Sequence, residues 1–123
     1  MSLITAHVRV LNSLLFIKDA WTRDLPKIDG HGSFWATASC VAVSCMPDCD
    51  GPTEVTIEYP LQSKNIVGKL LFDETLETSS RSIVVETVLA DKILEQGVLG
   101  ATTRVQIWTD GFRDTNKIKI GLE

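Results

Sequence analysis

The chain has 123 residues, 44% of them apolar, which is enough for one core and too little for two. A net charge of −4 and a pI near 5.1 exclude a direct nucleic-acid binder that works through a broad basic surface. No run of about twenty apolar residues occurs, and the N-terminus lacks a charged segment followed by an apolar one; the expectation is a cytoplasmic protein with neither membrane span nor signal peptide.

The first strand is expected over 3–11, where Ile4, Ala6, Val8 and Val10 alternate with Thr5, His7 and Arg9. Successive strand residues point to opposite faces, so this period of two gives one dry face and one wet face. After Asn12-Ser13, the run Leu14 to Ile17 reads as a short buried strand, or as the first strand continued past a bulge. Segment 18–33 carries Asp, Trp, Pro and Gly without a sustained period, which predicts a long loop ending in Gly30-His31-Gly32. Loops of this length are uncommon inside compact domains and are disproportionately functional.

Residues 34–45 read as a central strand covered on both faces. Phe34, Ala36, Ala38, Cys40 and Ala42 alternate with Trp35, Thr37, Ser39, Val41 and Val43, and neither set is charged. A connector rich in Pro, Asp and Gly over 46–52 leads to Val55, Ile57 and Tyr59, interleaved with Glu54, Thr56 and Glu58, so 34–59 is expected to be a hairpin. An apolar run over 66–72 follows, kinked at Gly68, and then a polar, turn-like stretch over 73–82. Residues 83–90 are rich in β-branched side chains and read as a strand, while 90–96 suits a single helical turn equally well. Gly97 and Gly100 bracket a turn. Strands over 101–109 and 117–122 close the chain around a connector opened by Asp110-Gly111, and Leu122-Glu123 reads as a cloning scar.

About eight strands without long helices between them predict an all-β fold, an antiparallel two-sheet β-sandwich forming one domain over 1–123. Val8, Val10, Phe16, Val55, Ile57, Ile83, Val85, Val105, Ile107, Ile118 and Ile120 are expected to face its core.

Few residues suggest chemistry. Cys45 and Cys49 with Cys40 and His31 would make four soft zinc ligands, but zinc sites usually present a second closely spaced pair and none exists here. A Cys45–Cys49 disulfide would close a very short loop; a buried Cys40 with two incidental thiols fits a reducing compartment better. Asp48, Asp50 and Gly51 lack the ligand spacing of a calcium loop. No cofactor or metal is therefore expected. His31 is the one loop histidine, and with Asp24 and Asp29 as orienting carboxylates it would serve a small hydrolase or lyase, although nothing marks a nucleophile. Trp21, amid Asp19, Arg23 and Asp24, is either a plug over the open end of the sandwich or an interface anchor.

The order of features resembles the competence protein J family, small proteins associated with inhibition of a DNA-uptake nuclease. The similar elements are Leu14-Leu15-Phe16-Ile17 ending an N-terminal strand, a loop with Asp19-Ala20-Trp21-Thr22, and a Gly-containing approach to a strand of small residues. Near the end come Gly100, a strand, Trp108-Thr109, a loop and a final Ile-x-Ile strand. The resemblance implies a non-enzymatic protein-binding module whose carboxylates stand where substrate phosphates would sit. The row Glu54, Thr56, Glu58 would supply such an acidic face. The expected recognition surface is the 18–33 loop with the turn at 110–114, made of Asp19, Trp21, Asp24, His31, Asp110, Phe112 and Asp114. A homo-oligomeric structural protein, paired through an apolar edge or face, is the third reading.

Overall fold

In chain order the strands are β1 (Ser2–Val8), β2 (Leu14–Asp19), β3 (Phe34–Ala36), β4 (Cys40–Ser44), β5 (Thr53–Tyr59), β6 (Lys69–Glu77), β7 (Ser82–Thr87), β8 (Lys92–Gly97), β9 (Thr102–Thr109) and β10 (Lys117–Leu122). This is a computed structural model, and it describes residues 2–62, 68–111 and 114–123. The described strands form two sheets of five, in the orders β1-β5-β10-β9-β6 and β3-β4-β2-β7-β8. The protein is an all-β sandwich. Every pair is antiparallel except β5 with β10, which run parallel through the middle of the first sheet.

The period of two places the core. Val55 and Ile57 on β5 pair with Ala6 and Ile4 on β1 and with Ile118 and Ile120 on β10, so one dry row crosses three strands. Across from it lie Leu15 and Ile17, Val41 and Val43, and Ile83 and Val85 of the second sheet, all fully buried in one shared cluster. Of the residues expected in the core, Val8 is only partly buried at its margin, and Phe16 points the other way. Phe16 joins Cys40 and Ala42 in a smaller cluster on the outer face of the second sheet, with Leu14, Trp35 and Val88 against it. The run Leu14 to Ile17 is apolar throughout because both of its faces are covered.

Asn12 and Ser13 adopt positive φ values of 59° and 55°, and that break carries the chain from β1 in one sheet to β2 in the other. Residues 34–45 are two strands and not one: β3 and β4 pair with each other around a turn at 37–39. The expected 34–59 hairpin is absent, since β4 pairs with β2 and β5 with β1 and β10; the connector at 46–52 changes sheets. The stretch over 73–82 is strand as far as Glu77, and 92–97 is β8 where a helical turn had been an equal expectation. Leu122, read from sequence as a scar, is fully buried and pairs with Val105.

Two long connections follow from the topology. β2 and β3 are both antiparallel to β4 in the order β3-β4-β2, so they run the same way, and the chain has to return the full length of the sheet between them. The 20–33 loop makes that return. It leaves where the Asp19 N–H donates to Ser39 O (3.0 Å) and arrives where the Ser44 N–H donates to Ser33 O (2.9 Å), at the opposite end of β4. β5 and β6 also run the same way, with β10 and β9 between them. The described part of their connection begins by laying Leu61 over Gly121, where an added Cβ would meet the Leu61 Cδ2 at 2.7 Å.

Candidate recognition surface

Asp19 closes β2 and is 2% exposed. Its Oδ1 accepts from the Ser80 N–H (3.0 Å) and hydroxyl (2.6 Å), and its Oδ2 accepts from the Trp21 N–H (3.2 Å). One carboxylate thus ties the start of the long loop to the β6–β7 turn. The Thr22 and Ser39 hydroxyls meet at 2.6 Å, and the Thr37 hydroxyl donates to Asp24 O at 2.8 Å. A loop pinned at this many points loses little entropy when it meets a partner. Trp21, mounted on it, is 74% exposed, which excludes its being a plug.

The same end of the sandwich carries a second exposed apolar residue. Leu99 is 90% exposed at the tip of the 98–101 turn. That turn is braced by buried Thr78, whose N–H donates to Ala101 O (2.7 Å) and whose hydroxyl donates to Gly100 O (2.8 Å), and by the Tyr59 hydroxyl, which accepts from the Leu99 N–H (3.1 Å). Its neighbour Val98 is buried in the main core, so the apolar Val98-Leu99 pair divides between inside and outside in a way that its composition does not show. Exposed Asp24, Glu77, Arg23 and Arg81 surround this end.

The 110–114 turn lies elsewhere. The Met46 N–H donates to Thr115 O and the Cys45 N–H to Ser13 O, which puts the turn at the Leu14 end of β2, roughly 17 Å from Asp19 by the rise of a strand. Asp110 and Asp114 therefore do not share a surface with Trp21, and Phe112 lies outside the described residues. Asp110 works as a turn-former. Its Oδ1 accepts from the Thr115 hydroxyl and from the N–H groups of Asn116 (3.0 Å) and Lys117 (3.1 Å). Burial pushes its carboxyl up, but those hydrogen bonds outweigh it and hold the pKa below the usual aspartate value. A folded pKa below the unfolded one means that the stabilisation is present above the unfolded value, about 3.9, and is lost as pH falls through the lowered one. Urea titrations across that range are expected to show a midpoint that falls less steeply with acid in Asp110→Asn than in the parent; equal slopes would refute the assignment.

His31 is exposed near that second end, and its backbone N–H, not its ring, meets Asp29 Oδ1 (2.8 Å), which also accepts from Trp35 Nε1 (3.0 Å). Asp24 is held at the Trp21 end through Thr37. His31, Asp24 and Asp29 line neither the cleft beside Gly68 and Gly111 nor the one beside Phe16 and Lys18. The acidic row on β5 is not an open face either. Glu58 is buried, 2.9 Å from Lys119 Nζ, and accepts from the Gln62 N–H (3.0 Å), while Glu54 Oε1 lies 3.2 Å from His7 Nε2.

The backbone superposes on the crystal structure of ComJ, inhibitor of the DNA degrading activity of NucA, from Bacillus subtilis, with a TM-score of 0.70 over 97% of this chain and 93% of that one. The fold is that of ComJ. Identity is 8%, so the likeness is one of fold alone, and the family resemblance read from the order of features holds at that level. No protein-family model matches the sequence, and no curated protein matches it. Among the described residues, no helix is long and apolar enough to cross a membrane.

On this ComJ-like sandwich all three cysteines are free. Cys45 is not an incidental hairpin thiol but a core residue, and burial pushes its thiol up to about 11 and that of Cys40 up to about 12. Cys49 alone is exposed. No metal-holding group of His, Cys, Asp and Glu forms among the described residues. A thiol-reactive disulfide reagent is expected to titrate Cys49 at once and to reach Cys40 and Cys45 only after denaturant is added. Rapid release of more than one equivalent from native protein would contradict this burial.

Proposed function

We propose that this chain is a protein-binding module that docks through the end of the sandwich bearing Trp21 and Leu99, and that its partner is a DNA-degrading nuclease. The observation that carries the reading is Trp21 itself, 74% exposed on a backbone fixed by the buried Asp19. Tryptophan is among the residues most enriched where binding energy concentrates, and Leu99, 90% exposed at the same end, stands beside it as a second apolar group. The fold shared with ComJ and the net charge of −4 support the choice of partner, because a nuclease has to attract phosphates and so presents basic surface to an acidic visitor.

The test adds the purified chain to NucA and follows plasmid degradation. Inhibition is expected, and Trp21→Ala is expected to raise the half-inhibitory concentration more than tenfold with unchanged circular dichroism and Tm. Absence of inhibition at large excess would sink the choice of nuclease. Inhibition that is unaltered in Trp21→Ala would sink the choice of surface.

A further inference from the structure

The outer face of the second sheet holds a cleft of about 230 Å³ between the 20–33 loop and the β7–β8 turn. Its apolar lining is Phe16, Val88 and Leu25, and its charged lining is Lys18, Glu86 and Arg23. Lys18 is the unusual member, with a side chain only 9% exposed. An ammonium taken out of water is costly unless every N–H finds an acceptor. Lys18 Nζ donates to Thr22 O at 3.3 Å and lies 3.3 Å from Glu86 Oε1, so the third of its N–H groups has no acceptor among the described residues. Glu86 is neutralised by Lys18, and Arg23 enters no ion pair among the described residues. Among the residues that line the cleft, two cations stand against one carboxylate beside an apolar floor.

We infer that this cleft binds a small organic monocarboxylate. The apolar body lies against Phe16, Leu25 and Val88, and the carboxylate accepts from the spare N–H of Lys18 and from the Arg23 guanidinium. The volume equals that of roughly eight waters, which sets the ligand at about that number of non-hydrogen atoms. The site rests on Lys18, Glu86 and the outer sheet face and does not depend on the nuclease reading, although Arg23 also borders the end that bears Trp21.

Isocaproate has the required size and charge, and isocaproamide is its neutral isostere. Titrated into the whole isotope-labelled chain and followed by amide chemical shifts, isocaproate is expected to give saturable shifts at Phe16, Lys18, Arg23 and Val88. Isocaproamide is expected to bind about tenfold more weakly, the usual worth of a charge-assisted hydrogen bond. Arg23→Gln, at an exposed position that leaves the fold intact, is expected to weaken isocaproate about fivefold and to leave isocaproamide unchanged. No saturable shift, equal binding of acid and amide, or an Arg23→Gln variant that binds isocaproate as the parent does would each overturn the inference.

Discussion

Asp19→Ala is expected to lower the free energy of unfolding by about 3 kcal/mol, because it strands buried donors that were satisfied by a charged acceptor. The Ser80 N–H and the Trp21 N–H lose their acceptor at once, and the Ser80 hydroxyl keeps only Ser82 O at 3.1 Å, around a carboxylate that is 2% exposed. Ser80→Ala, which removes one donor and leaves the carboxylate two others, is expected to cost about 1 kcal/mol. Urea unfolding with unchanged m-value would measure both. A loss under about 1 kcal/mol for Asp19→Ala would mean that water replaces the carboxylate there, and the claim that Asp19 fixes the start of the loop would fail. Asp19 is then scaffold, not contact residue: its effect on a partner passes through the pose of Trp21.

Ile57→Ala is expected to cost about 4 kcal/mol, near the upper end for a large-to-small change in a core. Ile57 is fully buried on an inner strand, with Ile4 on one side and Ile120 on the other, and neither neighbour can collapse into the space without leaving its own ladder. Its neighbour Thr56 faces water and exchanges a hydroxyl hydrogen bond with Thr5 at 3.0 Å, so Thr56→Ala is expected to cost under about 1 kcal/mol. Comparable losses for the two would show that β5 is not seated in the register described.

That contrast between adjacent residues is also what made β5 legible from the sequence. Wherever a strand has one wet face, alternation identifies it, and β1, β5, β9 and β10 were all visible for that reason. The failures have physical causes as well. β6 is an edge strand whose Asp73, Glu74 and Glu77 are exposed, so it reads as a turn; only Phe72 and Leu76 are buried along it. The 34–59 hairpin failed because a Pro and Gly connector looks the same whether it reverses the chain within a sheet or passes it to the other sheet. Phe16 failed because a strand covered on both faces carries no alternation to say which face is the core. At the candidate site the loop and its Trp21 were legible, whereas Leu99 and the Lys18–Glu86 pair were not: the last depends on β2 and β7 becoming neighbours, which no local pattern encodes.

The parallel seam between β5 and β10 bears on how the molecule is made. The partners Val55 and Ile118 are separated by roughly sixty residues, and everything from β6 to β9 has to be threaded between them before they can meet. While the chain emerges from a ribosome, β1 and β5 can zip together early, but their dry row stays unroofed on one flank until β10 arrives. Folding should accordingly be a late, single closure with rates in the slow range typical of all-β sandwiches, and the half-built sheet is the species a chaperone would find to hold.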